Sequence, residues 1–411
     1  MTSSLLPFDD AVRAVLDAVA PLADEEVAAT DATGRVLAED VVAPEDLPRA
    51  AVSAMDGYAL PGPAIEALAG GDAVALRVVG EVAAGSGGHP GPVGAREAVR
   101  IFTGAVVPAW AAAVVEQERC ERSGDGVTVR GPVREAANVR PAGGDVRAGD
   151  PVLARGDVAG PPGVALLSAL GVERVRVARR PAVAVVVTGS EIADGADLPP
   201  GRIRDSNGPA LRAAAPSCGA GPVTLLRAAD ARDALASALG AALRDADLVC
   251  VSGGVSVGDH DLVKEVAEGL GVRRVFWGVA QRPGKPLYFG VFPGSLGPVP
   301  VLGLPGNPAS SLACFLAYAW PAIRRVQGVS PECVRARAVL SSPARKPAGL
   351  AAMLRGRRRP GGALAHVEVA ASQDSHLLLP FARADCLVLL PPGSAEVPAG
   401  TEVDVIPFPW A

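Results

Sequence analysis

The sequence predicts a multidomain α/β protein in which a doubly wound α/β/α unit is flanked by β-rich modules. Three observations carry this. Between about 179 and 326, β-branched apolar runs alternate with helix-like segments, the pattern of a parallel sheet buried on both faces. Between about 46 and 140 no helical period survives, and short β-like runs are separated by Gly and Pro. From about Cys333 onward the short-strand pattern returns, which predicts a small terminal β domain.

The elements follow in chain order. Phe8, Val12, Val15, Leu16 and Val19 recur at helical spacing and predict a first helix over 8–20. Strands are expected at Ala73–Val79, Ala98–Phe102, Ala113–Glu116 and Val127–Val129, then an apolar helix at Gly163–Leu170 and a strand at Val172–Val177. Ala182–Val187 is wholly apolar with no alternation, as a strand covered on both faces requires. Helix Gly208–Ala215, strand Val223–Leu226, helix Arg232–Arg244, strand Asp247–Val251 and helix Asp261–Leu270 continue the alternation. Strands at Val272–Phe276, Pro286–Phe289 and Val299–Leu302 precede a long helix, Asn307–Arg325. The terminal domain is expected to hold strands at Val334–Leu340, Ala351–Arg355, Leu364–Val369, Cys386–Leu390 and Glu402–Ile406.

Composition bounds the function classes. The chain has 411 residues, room for roughly three ordinary domains. Its net charge of −5 does not favour nucleic acid as the main partner, and Arg355-Gly-Arg357-Arg358-Arg359 is the one local basic run. The opening Met1–Pro7 is too short for a secretory signal, and no charge-free apolar stretch is long enough to span a bilayer. The six cysteines form no C-x-x-C pair and read as thiols of a cytoplasmic protein, and the four scattered histidines do not suggest a histidine-ligated metal.

The chemistry is expected at strand ends. Ser252-Gly-Gly-Val-Ser256-Val-Gly-Asp259-His-Asp261 leaves a buried strand and enters a helix. Gly253 and Gly254 let the chain turn sharply with no side chain blocking a ligand, and Ser256 offers a hydroxyl. This is where doubly wound folds bind phosphate, and carboxylates there point to a hard cation such as Mg²⁺ between protein and ligand. Asp259 has the alternative reading of a helix cap. Thr188-Gly189-Ser190-Glu191 and Leu304-Pro305-Gly306-Asn307 leave strands of the same unit, with Asn307 placed to cap the long helix, so these loops should line one crevice. Arg282-Pro283-Gly284-Lys285 could add cations for phosphate oxygens, or be a solvated turn. No Walker A loop or serine-hydrolase elbow is present.

In order along the chain, SAMDGYA (53–59), IFTGA (101–105), NVRPAGGDVRAGD (138–150), RRPAVAVVVTGSE (179–191), GRIRDSN (201–207), SGGVSVGDHD (252–261), RPGKP (282–286) and GLPGNP (303–308) resemble the molybdopterin molybdenumtransferase family of the MoeA type, which includes the C-terminal domain of gephyrin. The resemblance implies an elongated molecule of four parts. These are an N-terminal linker domain from 1–45 and 141–178, a β-rich inserted domain over 46–140, a molybdopterin-binding domain over 179–326 and a barrel-like β domain over 327–411. It implies a homodimer with an inter-subunit cleft, contact with the adenylyltransferase that supplies the substrate, and a Mg²⁺-assisted transfer of molybdenum onto adenylylated molybdopterin with release of AMP. By position, Asp56, Thr103, Asp145, Glu191, Asp230 and Asp261 would be catalytic, with Glu191 and Asp261 on the metal. Thr188, Gly189, Gly253, Gly254, Ser256, Arg282, Lys285, Pro305, Gly306, Asn307, Arg140, Arg355 and Ser375 would bind the cofactor or molybdate.

The chain departs from the family pattern at Ser190, Gly278, Ala231 and Arg282. A binding or scaffold protein of the same fold therefore stands beside the enzyme as an alternative, and an adenylyltransferase acting on the pterin is a third reading.

Overall fold

The computed structural model describes residues 5–411 except 90, 194, 255–261 and 296. The chain divides into two compact units, one of residues 26–33 and 39–175 and one of residues 1–25, 34–38 and 176–411. The described chain opens with α1 (Phe8–Asp17), which buries Phe8, Ala11, Val12 and Val15 along one stripe and carries Asp9 and Asp10 in its first turn, where the helix dipole favours them.

The 39–175 unit is built on a mixed sheet. Its strands are β1 (Gly57–Pro61), β2 (Ala73–Val82), β3 (Glu97–Ile101), β4 (Ala111–Glu116), β5 (Cys120–Ser123) and β6 (Gly126–Arg130), in the order β4-β1-β3-β2-β6-β5. Only β2 and β3 of this sheet run parallel. Met55 and Asp56 lie in the bend that leads into β1, and Gly57 and Tyr58 open that strand, with Tyr58 buried. Gly57 permits this: a Cβ there would stand 1.9 Å from the Val115 carbonyl oxygen of β4. One short helix, α2 (Gly62–Leu68), interrupts the β-rich stretch and buries Ala64, Ile65 and Leu68. It was hidden because two turns are too few for a period to show. Helix α3 (Pro161–Ala169) lies near the end of this unit.

In the second unit β7 (Val183–Thr188), β8 (Val223–Ala228), β9 (Leu248–Ser252), β10 (Arg273–Trp277), β11 (Tyr288–Gly294) and β12 (Gly297–Leu304) form a six-stranded sheet in the order β8-β7-β9-β12-β11-β10. Strands β8, β7, β9 and β12 are mutually parallel. The helices α4 (Asn207–Ser217), α5 (Arg232–Asp245), α6 (Leu262–Gly269), α7 (Pro308–Cys314) and α8 (Trp320–Val326) cover it, with a π-helical stretch, Phe315–Ala319, joining the last two. The unbroken apolar run of β7 is explained by its two faces. Val183, Val185 and Val187 pack with α1, α4 and the 308–326 helix, whereas Ala184 and Val186 pack with Leu235 and Leu239 of α5 and Val263 and Val266 of α6. Each fully buried leucine or phenylalanine here, such as Leu235 or Phe315, contributes about 2 kcal/mol.

The alternation of strand and helix does not continue to the sheet's end. Strands β11 and β12 pair antiparallel through Gly294↔Gly297, and β10 adds antiparallel to β11, giving the parallel sheet an antiparallel edge. The terminal strands β13 (Ala336–Leu340), β14 (Ala351–Arg359), β15 (Ala365–Val369), β16 (Cys386–Leu390) and β17 (Glu402–Pro407) close on themselves through the β14–β16 pairing, making a five-stranded barrel around Leu340, Leu354, Val367, Val388 and Val405. A short strand, Gln281–Arg282, pairs parallel with Ala351–Ala352 and ties the Arg282–Lys285 turn to β14.

Candidate functional site

Strand order decides where a ligand can sit. Chain connections leave β7 toward β8 on one side and β9 toward β12 on the other, so the carboxyl ends of β7 and β9 flank the switch point at which doubly wound sheets open a crevice. A cleft of about 530 Å³ lies there. Its walls include Thr188 and Glu191 after β7, Asp205 to Asn207 at the start of α4, Ser252 and Gly253 after β9, Pro305 to Asn307 after β12, and His376 from the barrel domain.

Asn207 is the knot that holds these loops together. It is buried, and its Nδ2 donates to the Ser252 hydroxyl at 2.8 Å and to the Gly306 carbonyl at 2.7 Å. Ser252 in turn shares a 3.4 Å contact with the Ser311 hydroxyl of α7. Asp205 caps α4 by accepting from the Gly208 amide at 2.9 Å, and its other oxygen faces Arg227 Nε at 3.4 Å. The glycine turn has a steric cause. Gly253 has φ of +96°, and a Cβ there would stand 2.1 Å from the Thr188 carbonyl oxygen.

The described donors suit a hard cation. Glu191 folds its carboxylate back over Gly189, where a Cβ would stand 2.7 Å from Oε2. The Thr188 hydroxyl is buried with no hydrogen-bond partner among the described residues. Oxygen donors with one free carboxylate match Mg²⁺, which keeps most of its shell for water and substrate phosphates. Among the described residues no three His, Cys, Asp or Glu side chains cluster into a metal cage.

The expected site residues divide by location. Thr188, Glu191, Gly253, Pro305, Gly306 and Asn307 line the cleft, with Gly189 and Gly254 in the same turns. Ser375 joins them through Asn307, whose Nδ2 donates to its hydroxyl at 3.0 Å. Asn307 stands at the N-cap of α7 as expected, but its side chain makes no cap bond because it is engaged with Ser375. Asp230 is exposed between β8 and α5 and is not among the lining residues. Arg282 and Lys285 are exposed on a turn whose Pro286 reaches the cleft. That turn is braced by buried Gln281, which donates to the Gly284 carbonyl at 3.0 Å and accepts from the Tyr318 hydroxyl of the π-helical stretch.

Arg355 differs most from its expected part. It is 3% exposed, and its guanidinium donates to the carbonyls of Ser372, Asp374 and Leu377 at 3.1, 3.1 and 3.4 Å. Burial lowers its pKa. It holds the 372–377 loop rather than presenting a charge to a ligand. Ser256, Asp259 and Asp261 lie outside the described residues.

In the 39–175 unit, Asp56 accepts from both the amide and the hydroxyl of Thr103, each at 2.8 Å. The amide bond first, and the hydroxyl second, hold its carboxyl below the ordinary aspartate range. Arg140, in a two-residue strand paired with Val52–Ser53, and Asp145 are exposed in the same unit. In the other unit Gly278 is left-handed, with φ of +89°, a conformation that favours glycine.

Sequence reading quoted Asp205 and Asn207 within GRIRDSN and Ser252 at the head of its loop without giving them a site role, and it did not single out His376. A polar Asp-Ser-Asn run directly before a helix was a signal for the first two. His376 had none beyond its place beside Ser375.

Three family models match the chain in order: the MoeA N-terminal region (domain I and II) over residues 6–171, a probable molybdopterin binding domain over 184–325, and the MoeA C-terminal region (domain IV) over 337–408. A molybdopterin molybdenumtransferase of Staphylococcus aureus (strain COL) is 32% identical over 405 residues, covering 98% of this chain and 95% of the relative. One from Staphylococcus epidermidis is 32% identical over 380 residues, covering 92% and 89%. The crystal structure of a molybdopterin biosynthesis MoeA protein from Pyrococcus horikoshii superimposes with a TM-score of 0.80 at 32% identity, covering 98% of this chain and 99% of that one.

Proposed function

The chain belongs to the MoeA family of molybdopterin molybdenumtransferases, and from that premise we propose that it is a transferase of molybdenum cofactor biosynthesis that places molybdenum on adenylylated molybdopterin and releases AMP. The observation that carries this is the cleft at the switch point, where loops after three parallel strands meet a loop of the barrel domain.

In this reading the turn at Gly253 and Gly254, which ends β9 at the cleft wall, lies against a phosphate, its glycines being required by the close approach of Thr188 and Val263. The start of α4 adds an oriented dipole. Arg282 and Lys285 neutralise phosphate oxygens from the cleft's edge. Glu191, with Asp261, would hold Mg²⁺, which when bound offsets the charge of the pyrophosphate. Thr188 offers a ligand oxygen its hydroxyl, which has no partner among the described residues. Ser375, fixed by Asn307, faces molybdate. These groups act by positioning and electrostatics, and no protein nucleophile is needed. We further propose a homodimer in which the Asp56–Thr103 pair, Arg140 and Asp145 serve the cleft of a second copy. Asp230 then acts from the rim.

The test is turnover. Purified protein supplied with adenylylated molybdopterin, molybdate and Mg²⁺ should form active cofactor and one AMP per cycle. Protein that binds the pterin yet never releases AMP would instead support a binding or scaffold role, and consumption of ATP with formation of pyrophosphate would support an adenylyltransferase.

A further inference from the structure

The loop between β15 and the short helix Leu379–Ala382 is unusually well fastened for a surface segment. Arg355 ties down the carbonyls of Ser372, Asp374 and Leu377, so the backbone is gripped on both sides of residue 376. Gln373 adds a reciprocal pair: its Oε1 accepts from the Arg355 amide at 2.9 Å, and its Nε2 donates to the Arg355 carbonyl at 3.1 Å and the Ala370 carbonyl at 2.9 Å. Two more bonds lock the loop to the start of α7, from Asn307 Nδ2 to the Ser375 hydroxyl at 3.0 Å and from the Ala309 amide to the Ser375 carbonyl at 3.1 Å.

Burying a guanidinium is costly, and the three carbonyls that offset that cost all come from this loop, which is thereby fixed. What the loop delivers to the cleft is His376, its one lining residue there. Among the described lining residues only Arg204 and His376 carry basic side chains. Arg204 is turned to the Ala196 carbonyl of its own loop. The His376 imidazole makes no hydrogen bond or ion pair among the described residues, and it is exposed to the cleft.

We propose that His376 is a ligand-contacting residue of this cleft, donating an imidazole N–H to a tetrahedral oxyanion, and that Arg355 and Gln373 are the positioning residues that aim it. The inference rests on the functional reading above and adds a contact to it. The oxyanion has two sources of the same chemistry, molybdate or the phosphate of the adenylylated substrate.

The test uses the full chain, with calorimetric titration of sodium molybdate and, separately, of AMP, alongside steady-state turnover. His376→Ala should weaken one of the two probes about tenfold, the loss of one hydrogen bond, and raise the matching KM with little change in kcat. His376→Gln, which keeps an N–H donor, should restore most of the affinity. Loss for molybdate alone assigns the contact to molybdate, and loss for AMP alone assigns it to phosphate. Because His376 is exposed, the thermal midpoint should stay at the wild-type value. Unchanged affinity for both probes and unchanged KM values, with wild-type protein turning over normally, would overturn the inference and leave the functional reading standing. Wild-type protein that binds neither probe and never turns over would overturn both.

Discussion

The Asn207 amide donates to the Ser252 hydroxyl at 2.8 Å across the gap between the first turn of α4 and the end of β9, and both side chains are buried. The same nitrogen donates to the Gly306 carbonyl at 2.7 Å, so one side chain sets the spacing of three cleft loops. Asn207→Ala leaves a hydroxyl and a carbonyl without their donor, at about 1–3 kcal/mol. A denaturant titration should show this loss at unchanged m-value. Affinity for the pterin substrate should fall further than stability alone explains, since the loops lose their common brace.

Arg355 is expected to matter for the loop it holds. Arg355→Lys keeps the charge but loses the planar fork that reaches Ser372, Asp374 and Leu377. Up to three carbonyls lose a charge-assisted donor, and about 2–4 kcal/mol of stability should go with them. Amide hydrogen exchange should accelerate over 372–377 and leave the β13–β17 barrel strands protected. Equal acceleration throughout the barrel would show that Arg355 is a core residue and not a loop clamp.

Much of this fold was legible in the sequence because period and burial coincide. Val183–Thr188 is apolar at every position before Thr188, and each of its faces meets a separate core, so its nature could be read without knowing its neighbours. The direction of β11 was not legible, because an antiparallel strand buried between neighbours has the same composition as a parallel one. The site shows the same division. Gly253 and Gly254 announce a tight turn by composition alone, and Gly253 adopts the left-handed backbone that glycine allows. Asn207 and Arg355 act through partners 45 and 17–22 residues away. Long-range pairings of that kind leave no local trace. Arg355 in particular reads as part of an exposed basic run and shares a strand face with Arg357 and Arg359, yet the 372–377 loop folds over it and buries it while those two stay exposed.

The Asp56–Thr103 pair gives a pH prediction with a definite sign. Because the folded pKa is depressed below the ordinary 3.8, the pair stabilises its loops at pH above that value and loses the contribution as pH falls through the folded pKa. Neutral and mildly acidic conditions should therefore leave the pair intact. Thr103→Val removes the hydroxyl donor and keeps the amide, which is the larger cause, so the Asp56 pKa should rise while staying below 3.8. Carbon-detected NMR titration of the Asp56 carboxyl reads this directly. A Thr103→Val value at or above 3.8 would mean that the hydroxyl, not the amide, carries the shift.

Gly253 is the position where the least change should do the most harm. Alanine there must hold φ of +96°, at about 1–2 kcal/mol, and must also move the Thr188 carbonyl, which stands 2.1 Å from where its Cβ would be. The carbonyl belongs to β7 at the edge of the cleft, so relief means parting the ends of β7 and β9 at the crevice itself. Gly254→Ala meets a softer obstacle, a Val263 methyl at 2.9 Å, which can rotate away, although its φ of +64° carries the same backbone strain. Gly253→Ala should thus lose more stability than Gly254→Ala in a thermal melt, and its loss of pterin affinity should exceed that of the neighbour. Equal effects of the two would show that backbone conformation alone, and not the close approach to Thr188, decides why glycine stands at this turn.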